Sequence, residues 1–109
     1  MPGLYIWAVN YQKVGSRACN RRFYIEGEDL SNLPDESGVY FLYQRGNILV
    51  YIGKAGSLKK RVIQHDGQKA FSRVGYELCH YSRARKLEKE LIELYFKEHG
   101  QLPYYNRQS

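Results

Sequence analysis

Two tyrosines, an arginine, a histidine and a glutamate carry the chemistry open to this chain. Tyr40 and Tyr51 lie in neighbouring β-prone segments, and Arg61 and His65 are four residues apart, so a helix would put both on one face. Glu88 interrupts the stripe of Ala84, Leu87, Leu91, Leu94 and Tyr95. A carboxylate in an apolar seam is costly unless it is paired, hydrogen-bonded or bound to a metal. Hydrolysis of a phosphodiester needs a proton acceptor for water, positive charge on the non-bridging oxygens and help for the leaving oxygen. Tyr40 or His65 could take the proton, Arg61 is a permanent cation with five donors, and Glu88 could hold one divalent ion. A free phenol titrates near about 10, so a tyrosine base needs cations beside it; Arg61 and Lys54 are the available ones.

The elements that must position these groups follow from patterning. Val39 to Tyr43 and Ile48 to Ile52 are β-branched and aromatic, with turn residues Arg45-Gly46-Asn47 between them, and so predict a hairpin. A two-residue loop closed by Gln44 and Asn47 pairs Tyr43 with Ile48, Leu42 with Leu49, Phe41 with Val50 and Tyr40 with Tyr51, which sets the two phenols side by side. A three-residue loop shifts the pairing by one and parts them to opposite faces. Gly53 to Gly56 form a loop, and Ser57 caps a helix to His65 that buries Leu58 and Val62. Tyr76 to Tyr81 alternates as a third strand. Ser82 caps the longest helix, Arg83 to about His99, which Gly100 and Pro103 stop.

Residues 1–37 read as an accessory ribbon and an acidic linker, with β-prone segments at Leu4 to Val9 and Arg22 to Ile25, a polar loop between them, and Trp7 and Phe23 as core residues. Residues 38–109 read as the functional core, packed with the ribbon as a single domain.

The formal charge is +6. It is concentrated between Tyr51 and Lys89, where ten Lys and Arg face three acids, a bias that favours an anionic partner such as nucleic acid. Lys54, Lys59, Lys60, Lys69, Arg73, Arg83 and Lys86 are the candidate contacts. Cys19 and Cys79 follow no metal or secretory pattern and are expected as free thiols. No apolar run reaches the ~20 residues that span a bilayer, and the amino end lacks a charged leader, so a soluble cytoplasmic protein without a membrane partner is expected.

Gly38-Val39-Tyr40, then Tyr51-Ile52-Gly53, Arg61 with His65, Leu87-Glu88 before Leu91-Ile92, and Asn106 closing an aromatic tail together resemble the GIY-YIG nuclease family over residues 38 to 106. The resemblance implies an α+β fold with a small three-stranded antiparallel sheet flanked by helices. It also implies a metal-dependent DNA endonuclease using one Mg²⁺ per site, with Mn²⁺ as a substitute. In that pattern Tyr40 is the general base or orients the water, and Tyr51 contacts the nucleophile or phosphate. Arg61 stabilises the pentacovalent phosphate, His65 stands one turn later, and Glu88 binds the metal. Gly38, Gly53 and Asn106 support the site. Val39 stands where isoleucine is usual, and the segment from Glu88 to Asn106 is longer than in many members. The expected partner is DNA, with branched and nicked forms among the candidates, and the expected state is a monomer or weak homodimer. The rival readings are a nucleic-acid-binding module without turnover, a nuclease acting on RNA, and a protein-interaction domain.

Overall fold

The β-prone segments gather into one antiparallel sheet, and the two amphipathic segments become helices on its opposite faces. In chain order the elements are β1 (Phe23–Ile25), β2 (Gly38–Gln44), β3 (Ile48–Ala55), α1 (Leu58–His65), β4 (Arg73–Leu78) and α2 (Tyr81–His99), with 3₁₀ turns at Leu30–Asn32 and Tyr104–Gln108. The computed structural model describes residues 23–25, 30–46 and 48–108. The expected strand at 4–9, the loop at 10–20, Trp7 and Cys19 lie outside them. The sheet order is β1-β4-β2-β3, with every neighbouring pair antiparallel. The α+β class and the three-stranded unit β4-β2-β3 are as expected, and β1 adds a fourth strand along the free edge of β4. Among the described residues no helix is long and apolar enough to cross a membrane.

Strand β2 is buried on both faces, because a helix covers each one. Tyr40 and Leu42 turn toward Leu58 and Val62 of α1, while Val39, Phe41 and Tyr43 turn toward Ala84, Leu87 and Leu91 of α2. Gly38 begins the strand where β4 comes closest, and a Cβ there would run into the Glu77 carbonyl oxygen. Ser57 caps α1 as expected, its hydroxyl accepting from the Lys60 N–H at 3.2 Å. The other free N–H groups of that end go to the linker: Leu58 N–H to the Glu36 carbonyl at 2.9 Å and Lys59 N–H to the Pro34 carbonyl at 3.1 Å. Residues 34–36 therefore fix where α1 starts.

The hairpin register differs from the two-residue loop. Gln44 pairs with Ile48 and Tyr43 with Leu49, then the pairing slips so that Leu42 faces Tyr51 and Tyr40 faces Gly53. A three-residue loop shifts the register by one, and an extra residue at Val50 shifts it by one more. The two shifts sum to an even number, so Tyr40 and Tyr51 remain on one face, as diagonal neighbours instead of an opposed pair. The bulge is demanded by packing: Leu49 and Ile52, three apart, both belong to the core under α2, whereas Val50 and Tyr51 both pack on the α1 side.

Three boundaries also move. Strand β3 runs to Ala55, so Gly53 to Ala55 pair with β2 as strand and not as the expected loop. The third strand is Arg73–Leu78, earlier than Tyr76 to Tyr81, because Arg73 and Val74 pair with Tyr43 and Leu42. Helix α2 consequently starts at Tyr81 with His80, not Ser82, as its cap; the His80 ring accepts from the Ser82 N–H at 3.2 Å. Its carboxyl end is as expected, at Gly100 with φ 78°, a left-handed conformation that glycine adopts without strain.

Candidate active site

Three rings meet where β2, β3 and the last turn of α1 come together. The Tyr40 hydroxyl and His65 Nε2 are 2.7 Å apart in a buried hydrogen bond. The Tyr51 ring lies 5.9 Å from Tyr40 and 5.2 Å from His65 between centroids. Gly53 makes room for this arrangement. It stands opposite Tyr40 in the sheet, and a Cβ on it would fall 2.5 Å from the Tyr40 ring and hydroxyl. Since Tyr40 is fully buried, its ring has nowhere to retreat. Gly53→Ala is expected to cost about 1–3 kcal/mol of stability through overpacking, read as a lower urea midpoint, and to displace the phenol from His65. An unchanged midpoint would mean that the ring moves freely.

Burial, reinforced by the neighbouring Tyr51 phenol, pushes the Tyr40 pKa up, and the Arg61 charge only partly opposes this. The phenol is therefore held protonated, and the sequence expectation that nearby cations would draw its proton off is not met. Burial, with Lys69 and Arg61 adding to it, lowers His65 to about 4, so the imidazole is neutral and Nε2 can accept the Tyr40 proton. His65 is 5% exposed, and its Nδ1 has no hydrogen-bond partner among the described residues.

Two clefts open on either side of Lys54, the residue that follows Gly53. One, about 440 Å³, is lined by Lys54, Ser57, Lys60, Arg61, Gln64 and Tyr81, three cations without an acid. Arg61 donates to the Gln64 side chain at 3.1 Å across its mouth. The other cleft, about 430 Å³, is lined by Lys54, Arg85, Glu88, Lys89, Ile92 and Glu93. Here Lys54 Nζ pairs with Glu88 Oε1 at 3.3 Å, which answers the cost of a carboxylate in the apolar stripe. The aromatic group and Glu88 thus belong to opposite faces of edge strand β3; Lys54 lines both clefts, and none of Tyr40, Tyr51 and His65 lines either. Arg85, Lys89 and Tyr81 line these clefts and were absent from the expected contacts. Their signal is position: Arg85 lies about one turn before Glu88, Lys89 directly follows it, and Tyr81 begins α2.

The remaining candidates divide. Lys69 lies over the Tyr51 ring at 5.1 Å. Lys59, Arg73, Arg83 and Lys86 line neither cleft; Arg73 stands opposite Tyr43 at the far end of β2, and Arg83 acts electrostatically on Glu77 and Cys79. Cys79 is a free thiol. Asn106 is a positioning residue: its amide accepts from the Ile52 N–H at 3.0 Å and donates to the Ile52 carbonyl at 3.0 Å. It acts as a one-residue strand neighbour along the open edge of β3, next to Tyr51. Asn106→Ala leaves both backbone groups without these bonds and is expected to cost about 1–3 kcal/mol, read from the melting temperature, whereas no loss would show that water replaces the amide fully.

A second buried group sets the acid response of the fold. Burial raises Glu77, on the α2 face of β4, to about 7 from 4.5, with Arg83 opposing. The folded protein then binds more protons than the unfolded chain between those values, so this contribution is intact below pH 4.5 and lost as pH rises through 7. His65, at about 4 against 6.5, has the opposite sign: its contribution is intact above pH 6.5 and lost as pH falls toward 4. The two slopes oppose each other between pH 4.5 and 6.5. Glu77→Gln should leave a urea midpoint that falls on acidification across that window, and His65→Gln one that rises. Parallel profiles in both variants and the parent would contradict the two burials.

No family model matches the chain. It is 37% identical over 84 residues to UvrABC system protein C of Deinococcus radiodurans, a stretch covering 72% of this chain and 13% of that protein. It is 60% identical over 35 residues to the Wolinella succinogenes protein of the same name, covering 32% of this chain and 6% of that one. The chain resembles one segment of UvrABC system protein C. Over 43 residues it is also 46% identical to the Ruminiclostridium cellulolyticum protein, of which it spans 7%. The chain thus spans only about 6 to 13% of the length of these relatives.

Proposed function

We propose that this chain is a GIY-YIG-type endonuclease that hydrolyses DNA phosphodiesters with one divalent cation, Mg²⁺ or Mn²⁺. The observation that carries the reading is the buried Tyr40–His65 hydrogen bond, set against Tyr51 and beside a cleft lined by Arg61 and Lys60. The proton path would run along the Tyr40–His65 hydrogen bond, against the reduced basicity that burial gives the imidazole. Tyr40 passes its own proton to His65 Nε2 as it takes one from the attacking water, so the water becomes hydroxide-like without a resting phenolate. Arg61, with Lys60 and Lys54 near it, holds the non-bridging oxygens as charge builds on them. Tyr51 keeps both rings in place and faces the phosphate.

A site of this kind would hold a single Mg²⁺ through one carboxylate, waters and a substrate phosphate, as Mg²⁺ is commonly bound; among the described residues no group of three or more His, Cys, Asp or Glu is assembled. Glu88 is that carboxylate, and its pairing with Lys54 marks it as a place that already favours a cation. When bound, the ion neutralises charge on the leaving oxygen. A DNA backbone laid across the β3 edge at Lys54 would offer one phosphate to both clefts.

Similarity to UvrABC system protein C supports an endonuclease. Incubating the purified chain with supercoiled plasmid should give nicked or linear product in Mg²⁺ and none in EDTA. Plasmid that is retarded but uncut in Mg²⁺ and Mn²⁺ would favour a binding module instead.

A further inference from the structure

From the buried rings an unbroken series of aromatic and cationic side chains runs outward to solvent. Tyr40 lies tilted against His65 at 5.6 Å, and His65 meets Tyr51 edge-on at 5.2 Å. Lys69 Nζ lies between Tyr51 and Tyr105, at 5.1 Å and 5.7 Å from their centroids. Tyr105 meets Tyr104 edge-on at 5.0 Å, and the Arg107 guanidinium lies over Tyr104 at 5.7 Å. Every step is held by the fold. The Tyr105 hydroxyl accepts from the Ala70 N–H at 2.9 Å, Asn106 is bonded to Ile52, and Arg107 donates to the Leu102 carbonyl at 2.9 Å. At the outer end Tyr104 is 51% exposed, although its neighbour Tyr105 packs against the core.

We infer that Tyr104, with the Arg107 guanidinium over its ring and Lys69 one ring further in over Tyr105, is a stacking platform for unpaired DNA nucleotides. The inference rests on the nuclease reading for its substrate and gives that site a preference: DNA with a single-stranded stretch over a fully paired duplex. A half-exposed ring already fixed on a 3₁₀ turn needs little ordering to receive a base, and Arg107 at the ring with Lys69 beyond Tyr105 suits the phosphates of the same strand. Base-on-aromatic stacking does not depend on base identity because every base offers a π-face. In a duplex those faces are already occupied, so only unpaired nucleotides can use the platform.

The test uses the intact chain in EDTA, where cleavage plays no part. Fluorescence anisotropy is read with a labelled thymidine oligomer of about fifteen nucleotides, within the range of single-strand site sizes, and with a blunt-ended, two-strand duplex of similar length. Tyr104→Ala should weaken binding to the single strand about tenfold, the effect of losing one stacked base, and leave the duplex within about twofold. Tyr104→Phe should restore the parent value. The factor should persist at higher salt, because stacking releases no counterions. Equal losses on both probes, a loss in the Phe variant, or no loss in the Ala variant would overturn the proposal. Tighter binding of a uridine oligomer than of the thymidine one would overturn the choice of DNA. If the parent protein cuts neither paired nor unpaired DNA in Mg²⁺ but shows the expected anisotropy pattern, the nuclease reading fails and the platform stands.

Discussion

Cleavage by Glu88→Ala should fall at least about a thousandfold in Mg²⁺, since the charge stabilisation supplied by a metal is worth several kcal/mol. Binding to the same DNA in EDTA should be unchanged or slightly tighter. The two outcomes separate because the substitution removes a negative charge that faces phosphate while sparing the cations. It also releases Lys54, whose ammonium now pairs with this carboxylate. Folding should survive, because Glu88 belongs to a helix interior that favours alanine and lies beside an apolar stripe. Glu88→Gln, which keeps the shape and loses the charge, should behave alike. Turnover within about tenfold of the parent in both variants would take Glu88 out of the chemistry and leave it as half of a structural ion pair.

Tyr40→Phe should reduce cleavage by about 10²- to 10⁴-fold, the usual worth of positioned proton transfer, with DNA affinity retained. The variant keeps the ring that fills the space above Gly53 and loses only the hydroxyl bonded to His65. It also leaves a buried imidazole nitrogen without that partner, an expected stability cost of about 1–3 kcal/mol. Rates are therefore compared well below the variant's melting temperature. Tyr51→Phe is the companion variant: the Tyr51 ring packs on both partners and its hydroxyl also bears on the Tyr40 phenol, so a large loss confined to Tyr40→Phe assigns the proton to Tyr40. Equal, small losses in the two variants would mean that neither phenol moves a proton.

Much of the sheet could be read from sequence because helix caps and turn residues are local signals. Ser57, Gly100 and the turn at Arg45-Gly46 each act within a few residues, and α1 lies where its pattern puts it. The hairpin register could not be read the same way. Strand β2 is apolar throughout because both of its faces are covered, so alternation does not reveal which face each residue takes. The bulge at Val50 answers to a helix more than thirty residues later, in which Leu87 and Leu91 claim Leu49 and Ile52. The same limit applies to His80, whose capping role depends on where β4 ends.

In the site, residue type and spacing singled out Tyr40, Tyr51, Gly53 and His65, which the structure brings together, while Arg61 and Glu88 line separate clefts. The electrostatics were not legible. Tyr40 is held protonated by depth, a property no spacing encodes; its hydroxyl bonds an imidazole, and the expected cation Arg61 acts on it without outweighing burial. Nor did the helical stripe reveal that Glu88 would meet Lys54. That contact depends on β3 extending three residues beyond Ile52, which brings Lys54 over the α2 face.

The most direct measurement is a crystal structure of Tyr40→Phe with Mn²⁺ and a duplex carrying an unpaired stretch, read at the manganese edge. The account predicts one anomalous peak bonded to Glu88 and to an oxygen of a phosphate that also contacts Arg61, with Lys54 swung away from the carboxylate. A phosphate seated at Arg61 with the Lys54–Glu88 pair intact and no manganese beside it would contradict the account.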